Sequence, residues 1–195
     1  MYNILVAGDT HIPDRASSVP RLIKEDIEPK RFDLILFTGD LTSKEVEEWL
    51  RSLSTRLIIV RGNMDYLPYP RQFTLDLLNY GLGLIHGDQV YPRGSIIKLS
   101  DLAKKMGVDI LVSGHTHSPF LEVSNEGDVL LINPGSLTGV WGGGGGSMTP
   151  SYIRMGLNEN YVKVELIELI SGEIKSRSFE ARKNASKKWE IREAE

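Results

Sequence analysis

The chain has no cysteine and only two glutamines, Gln72 and Gln89. Without cysteine there is no disulfide framework, no thiolate zinc site, no iron–sulfur cluster and no thiol nucleophile. Any transition metal must therefore be held by His, Asp, Glu or Asn. The scarcity of both residue types is a thermophile-like trait. Long apolar runs are also missing. The longest are four or five residues, such as Leu34-Ile35-Leu36-Phe37, where a membrane-spanning helix needs about 20. Asp9 and His11 end the first apolar stretch too early for a signal peptide, so the cytoplasm is the expected compartment and no membrane partner is expected. An excess of positive charge is absent too: 23 Lys+Arg face 26 Asp+Glu, a net charge of -3. That balance argues against nucleic acid as a stable partner, and Arg182-Lys183 and Lys187-Lys188 read as solvated surface. What remains is a globular composition, 41% hydrophobic and 25% charged, in a chain long enough to bury a real core.

Short apolar runs recur, and each ends near a glycine and a polar residue. Ile4 to Ala7 leads into Gly8-Asp9, Leu34 to Phe37 into Gly39-Asp40, and Leu57 to Val60 into Gly62-Asn63. Leu82 to Ile85 leads into His86-Gly87, Ile110 to Val112 into Gly114-His115, and Val129 to Ile132 into Asn133-Pro134-Gly135. Their length and β-branched content predict buried strands. Helical patterns lie between them. Val46, Trp49, Leu50 and Leu53 share one helix face, with Thr42 and Glu45 as a predicted capping box. Residues 19–28 predict an earlier helix with Pro20 in its first turn. Leu99, Leu102, Ala103 and Met106 predict a third, closed by Gly107. The first 63 residues thus read β-α-β-α-β, which implies a parallel sheet.

The last third changes character. Tyr161–Leu169 and Glu173–Phe179 alternate apolar and polar residues and predict an antiparallel hairpin. The expected architecture is α/β, two sheets packed together with helices outside. One domain is expected over residues 1–179, followed by a charged tail or helix over 180–195. Gly142 to Gly146 lacks the Lys-Ser/Thr of a P-loop and reads as a flexible loop rather than a ligand cradle. Tyr66, Tyr69, Tyr80 and Tyr91 read as partly buried packing.

All four histidines occupy predicted strand ends: His11, His86, His115 and His117. Asp9, Asp40 and Asn63 occupy others. Ligands of open α/β sheets bind at the carboxyl ends of strands, so these side chains are expected to converge on one edge. Taken singly, each is usually structural, since Asp and Asn often just begin a turn. Jointly they account for every histidine. Imidazole with carboxylate suits Zn, Mn, Fe, Ni or Co. A mononuclear zinc hydrolase fits less well, because His115-Thr116-His117 runs into Ser118-Pro119 instead of a dense His-Asp cluster. No Gly-x-Ser-x-Gly elbow supports a serine hydrolase.

Gly8-Asp9-x-His11, Gly39-Asp40, Gly62-Asn63, His86-Gly87 and Gly114-His115-x-His117 appear in this order and resemble the calcineurin-like metallophosphoesterase superfamily over residues 1–139. Gly8 to Pro13, Gly83 to Gly87 and Ile132 to Ser136 resemble its small stand-alone branch, which holds phosphodiesterases and the retromer small subunit. The resemblance implies a four-layer α/β/β/α sandwich of two mixed β-sheets flanked by helices. It implies two divalent ions, manganese among the candidates. Asp9, His11 and His117 would hold the first, Asn63, His86 and His115 the second, and Asp40 would bridge them. A hydroxide between the ions would attack phosphorus, with Asp40, Asn63, His86 and His115 acting through it. One departure concerns the residue after the Asn, which in many members is a proton-donating His and here is Met64. Asp65 then reads either as a substitute acid or as a turn former.

Two functions follow. The full ligand set points to a phosphodiesterase acting on a phosphoester of unspecified identity. Met64 and the resemblance to the retromer branch point to an interaction scaffold that keeps a metal site. A homodimer or a protein partner is compatible with either.

Overall fold

The computed structural model describes residues 1–194; Glu195 lies outside the described residues. Among the described residues twelve strands form two sheets, and three helices flank them. β1 (Tyr2–Ala7), β2 (Leu34–Phe37) and β3 (Leu57–Ile59) are parallel, joined by α1 (Arg21–Ile27) and α2 (Lys44–Leu53). After β4 (Gln72–Leu77) and β5 (Tyr80–Ile85) come α3 (Ile96–Met106), β6 (Ile110–Val112), β7 (Phe120–Val123) and β8 (Leu130–Asn133). The chain closes with β9 (Ser151–Leu157), β10 (Val162–Ile170), β11 (Glu173–Lys183) and β12 (Trp189–Glu193). The first sheet has the order β12-β11-β10-β9-β1-β2-β3, and the second β4-β5-β6-β8-β7.

Side-chain alternation assembles four layers. In β1, Ile4 and Val6 face the second sheet and meet Leu82, Leu84, Ile110 and Val112. Leu5 and Ala7 face outward and pack with Ile23, Ile27, Val46 and Leu50 of α1 and α2. On the far side, Ile85, Leu111 and Leu131 pack against Leu99 and Ala103 of α3. Strands covered on both faces read as continuous apolar runs, which is why the sequence exposes them.

Several expectations need correction. The cap of α2 is Ser43, whose Oγ accepts from Glu45 N at 3.1 Å; Thr42 instead donates to Ile12 O at 2.7 Å, so there is no Thr42–Glu45 capping box. Pro20 precedes α1 rather than sitting in its first turn. The stretch after residue 179 is neither tail nor helix: β11 continues to Lys183 and β12 pairs back on it, Ala181 opposite Ile191. Glu180, Arg182, Glu190 and Arg192 share one face, while Ala181 and Trp189 are buried on the other and Lys183 pairs there with Asp109. Of the four tyrosines expected to be partly buried, Tyr69 is so, Tyr80 is buried, and Tyr66 and Tyr91 are exposed. The hairpin of β10 and β11 is present, turning through Ser171 and Gly172, both with positive φ.

Candidate metal centre

The parallel strands of both sheets point their carboxyl ends to one edge, and the seven candidate side chains meet there. His11 Nε2 and His117 Nε2 are 3.1 Å apart, and His117 Nε2 lies 3.3 Å from Asp9 Oδ1. His86 Nε2 is 3.1 Å from both Asn63 Oδ1 and His115 Nδ1. Asp40 joins the groups: its Oδ2 is 3.4 Å from His11 Nε2 and 3.4 Å from His86 Nε2. Two sets, Asp9 with His11 and His117, and Asp9 with Asp40 and His86, each bring their ligand atoms within 4.8 Å of one another.

The local backbone is bent to achieve this. Asp9, His11, Asp40, His115 and His117 all have φ between 47° and 68°, a region that non-glycine residues enter at a cost of about 1–3 kcal/mol each. Surrounding hydrogen bonds hold them. Ser136 Oγ donates to Asp9 O at 2.8 Å, and Asn133 Nδ2 donates to Gly114 O at 2.9 Å. Close approach is needed as well: a Cβ on Gly62 would lie 2.1 Å from Asp40 Oδ1.

Asp65 is the main supporting residue. Its Oδ2 accepts from Asp40 N and Gly62 N at 2.8 Å, and its Oδ1 from Leu41 N at 2.9 Å and Thr42 N at 3.0 Å. Both oxygens are committed inside the protein, so Asp65 is a loop anchor and not a substitute acid. The turn-forming alternative for Asp65 is the one the structure bears out, while the support from Thr38 and Asn133 was not legible, because a group that bonds backbone leaves no spacing signature. Met64 donates its backbone N–H to Asp40 Oδ1 at 2.8 Å, while its thioether is exposed.

Electrostatics and tautomers suit a cation. His86 Nδ1 faces Thr38 O at 2.8 Å and His117 Nδ1 faces Val140 O at 2.7 Å. A carbonyl demands a proton on that nitrogen, so in the neutral ring Nε2 carries a lone pair turned into the site. Burial opposes the charged form of His117, but in the absence of metal Asp9 outweighs it and raises His117 above its ordinary value. Burial pushes His11 and His115 down to about 4, so both rings are neutral at pH 7, the form that binds metal. Asp9 would be raised by burial, but its contact with His117 and the nearby imidazoles hold it below the usual range. Burial and the neighbouring Asp9 raise Asp40 in spite of His86. Asp9 Oδ1 and His11 Nδ1 are buried without a hydrogen-bond partner. Two buried carboxylates, opposed lone pairs and an orphaned oxygen fit divalent ions.

The glycine run is a loop, but it is seated on the site. Ser147 N donates to His117 O at 3.0 Å and Ser118 Oγ donates to Gly145 O at 3.0 Å.

Comparison with known proteins agrees with this geometry. The family model described as the calcineurin-like phosphoesterase superfamily domain matches residues 2–156. A protein named as a probable metallophosphoesterase of Methanocaldococcus jannaschii is 47% identical over 133 residues, covering 68% of this chain and 67% of that protein. Vps29 of Cryptosporidium parvum is 28% identical with a TM-score of 0.87, covering 93% of this chain and 98% of its own. Entamoeba histolytica Vps29 in complex with zinc is 28% identical with a TM-score of 0.81, over 90% and 97% of the two chains.

Proposed function

This chain belongs to the calcineurin-like phosphoesterase superfamily, and from that premise we propose that it is a metal-dependent phosphodiesterase with two divalent ions. Asp9, His11 and His117 would hold one ion and Asn63, His86 and His115 the other, with Asp40 within reach of both sets. One observation carries this reading: a single oxygen of Asp40 lies 3.4 Å from an imidazole nitrogen of each set. Divalent ions held there would supply Lewis acidity toward a water and positive charge toward the phosphoryl oxygens. Thr38 and Val140 fix the rings of His86 and His117 through their carbonyls, so the ligand nitrogens need no rearrangement. At the leaving group this chain offers no imidazole, because Met64 follows Asn63. Substrates with good leaving groups, such as aryl phosphodiesters, are therefore favoured over alkyl phosphomonoesters. Mn, Ni, Zn, Co and Fe all suit the donors, and supply in the cell selects among them. Among the described residues no helix is long and apolar enough to cross a membrane, and we assign the protein to the cytoplasm.

The test is hydrolysis of an aryl phosphodiester by metal-stripped protein with Mn, Ni, Co, Zn or Mg added back. Activity should depend on a transition metal and vanish in Asp40→Ala. Full activity in that variant, or none with any metal in the folded protein, removes the reading.

A second reading, an interaction scaffold, is favoured by the likeness to Vps29 along nearly the whole chain. A cleft of about 430 Å³ at the amino end of β1, away from the metal edge, is lined by Met1, Ile4, Phe32 and Met155 among charged neighbours. Retention of a partner by the metal-free protein would support this reading.

A further inference from the structure

Tyr66, Tyr91 and Trp141 are the most exposed aromatic side chains among the described residues, at 73%, 86% and 58%. All three lie on loops at the carboxyl ends of strands, β3, β5 and β8, and so border the metal edge. Trp141 is held the most firmly. Val140, Trp141 and Gly142 are consecutive, and each of their carbonyls accepts a hydrogen bond from a side chain at that edge. His117 Nδ1 pairs with Val140 O at 2.7 Å, Arg15 Nη1 donates to Trp141 O at 2.8 Å, and Arg93 Nη2 donates to Gly142 O at 2.7 Å. Arg93 Nη2 also donates to the carbonyl of His115. The Arg15 guanidinium lies over the Trp141 ring, 5.5 Å from its centre. Gly142 closes against the ligand itself: a Cβ there would fall 2.5 Å from His117 Cγ.

Three side chains and a steric lock thus fix the backbone that carries a largely exposed indole. Burial stabilises in proportion to apolar area removed from water, so an indole left in solvent gives little return for these anchors in folding. The cations add to the case. Arg15 and Arg93 donate to backbone carbonyls, which leaves their charge unneutralised by those bonds, and Arg93 Nε is buried with no hydrogen-bond partner. Residues 142–146 are all glycine, so the loop beyond Trp141 adds no side chain to cover it. The edge therefore offers an exposed indole with the Arg15 guanidinium over one face and its other face open, and with Arg93 anchored on the next residue, beside the side chains placed for a phosphoryl group.

We propose that Trp141 is the stacking platform for the base of a nucleoside phosphate ester whose phosphorus sits beside Asp40. The proposal rests on the phosphodiesterase reading and narrows it to a substrate class. Stacking accepts any base, because every base has a π face. Arg15 and Arg93 then favour the anionic phosphate over a neutral aromatic ligand.

The experiment is equilibrium binding to the full chain loaded with Mn²⁺, comparing adenosine 5′-monophosphate with ribose 5-phosphate, which has an anomeric hydroxyl where the other carries the base. The adenosine compound should bind about tenfold tighter or better, and it alone should quench tryptophan fluorescence. Trp141→Ala should bring the two ligands within about threefold of each other, while Trp141→Phe should keep most of the preference. Equal affinities in the native chain, binding of neither ligand, or a preference that survives Trp141→Ala overturns the proposal. Aryl phosphodiester hydrolysis is measured on the same samples. A chain that hydrolyses the diester without a base preference loses only the platform. A chain that prefers the adenosine compound and hydrolyses nothing keeps the platform and loses the phosphodiesterase reading.

Discussion

Asp65 and Met64 are neighbours with opposite duties. Asp65 spends its carboxylate on four backbone N–H groups of the two loops that carry Asp40 and Asn63. An amide in its place keeps one acceptor oxygen and turns an NH₂ toward N–H donors. Asp65→Asn should therefore destabilise the fold by about 2–4 kcal/mol in urea unfolding. It should also weaken metal retention after dialysis, because Asp40 and Asn63 lose their common anchor. Unchanged stability with full metal content would show that the loops hold without it. Met64 keeps only its backbone in use, donating to Asp40 Oδ1, so its side chain can change without disturbing that bond. General acid help is worth about 10²–10⁴-fold. Met64→His should raise kcat toward alkyl phosphodiesters by about 10²-fold, with much less effect on aryl esters whose leaving groups need no proton. Equal gains on both classes would mean that the imidazole acts on binding or metal content instead.

α1 is only seven residues long and has no side-chain cap, too short to persist on its own propensity. Ile23 and Ile27 bury its inner face. The polar tie is Asp26, which accepts from Tyr152 of β9 and pairs with Lys30 and Arg154. Burial would raise Asp26, but the bond from Tyr152 and the two cations outweigh it and hold its carboxyl below the ordinary value. A depressed carboxyl contributes stability above its unfolded value, and that contribution is lost as pH falls through the folded value. Asp26→Asn should accordingly cost about 2 kcal/mol near pH 7. The gap between variant and native chain should close as both are unfolded at pH values falling below 4. A gap that is constant with pH would assign the loss to packing. The same element shows what sequence reading reaches. Runs such as Leu34–Phe37 were legible because both faces are covered. β9 was not, since Arg154 and Gly156 break its apolar run; the pairing of Arg154 with Asp26 and Glu165 is what admits that charge. β4 and β7 are edge strands with exposed alternate residues, and β12 hides two inward side chains among charges. The convergence of the seven candidate side chains was legible because each lies at a strand end beside a glycine or another of the seven. Of their supports, Asp65 was legible only as one of two alternatives, and Arg93 and Trp141 were not legible at all, because those contacts come from the tertiary fold.

At the scale of the whole molecule, the metal edge is where the fold is least self-sufficient. Five residues with positive φ, two buried carboxylates and an orphaned Asp9 oxygen are gathered at the one place where the sheets end together. Everything below it is conventional packing in three apolar clusters. Such a molecule should gain stability from divalent ions, since a ligand that binds only the native state at 100 times its Kd adds about 2.7 kcal/mol. For a chain of this size that corresponds to a rise in Tm of about 5–10 °C. Mn²⁺ should produce it in calorimetry and a chelator should reverse it. Asp40→Asn sharpens the test, because the amide can still accept from Met64 N but removes one of the two repelling charges. The metal-free variant should melt at or above the metal-free native chain, and its response to Mn²⁺ should be largely lost. If instead Asp40→Asn melts well below the native chain without metal, Asp40 is a structural group in its own right. The strain at the edge would then be supported by the fold alone and not held in place for ions.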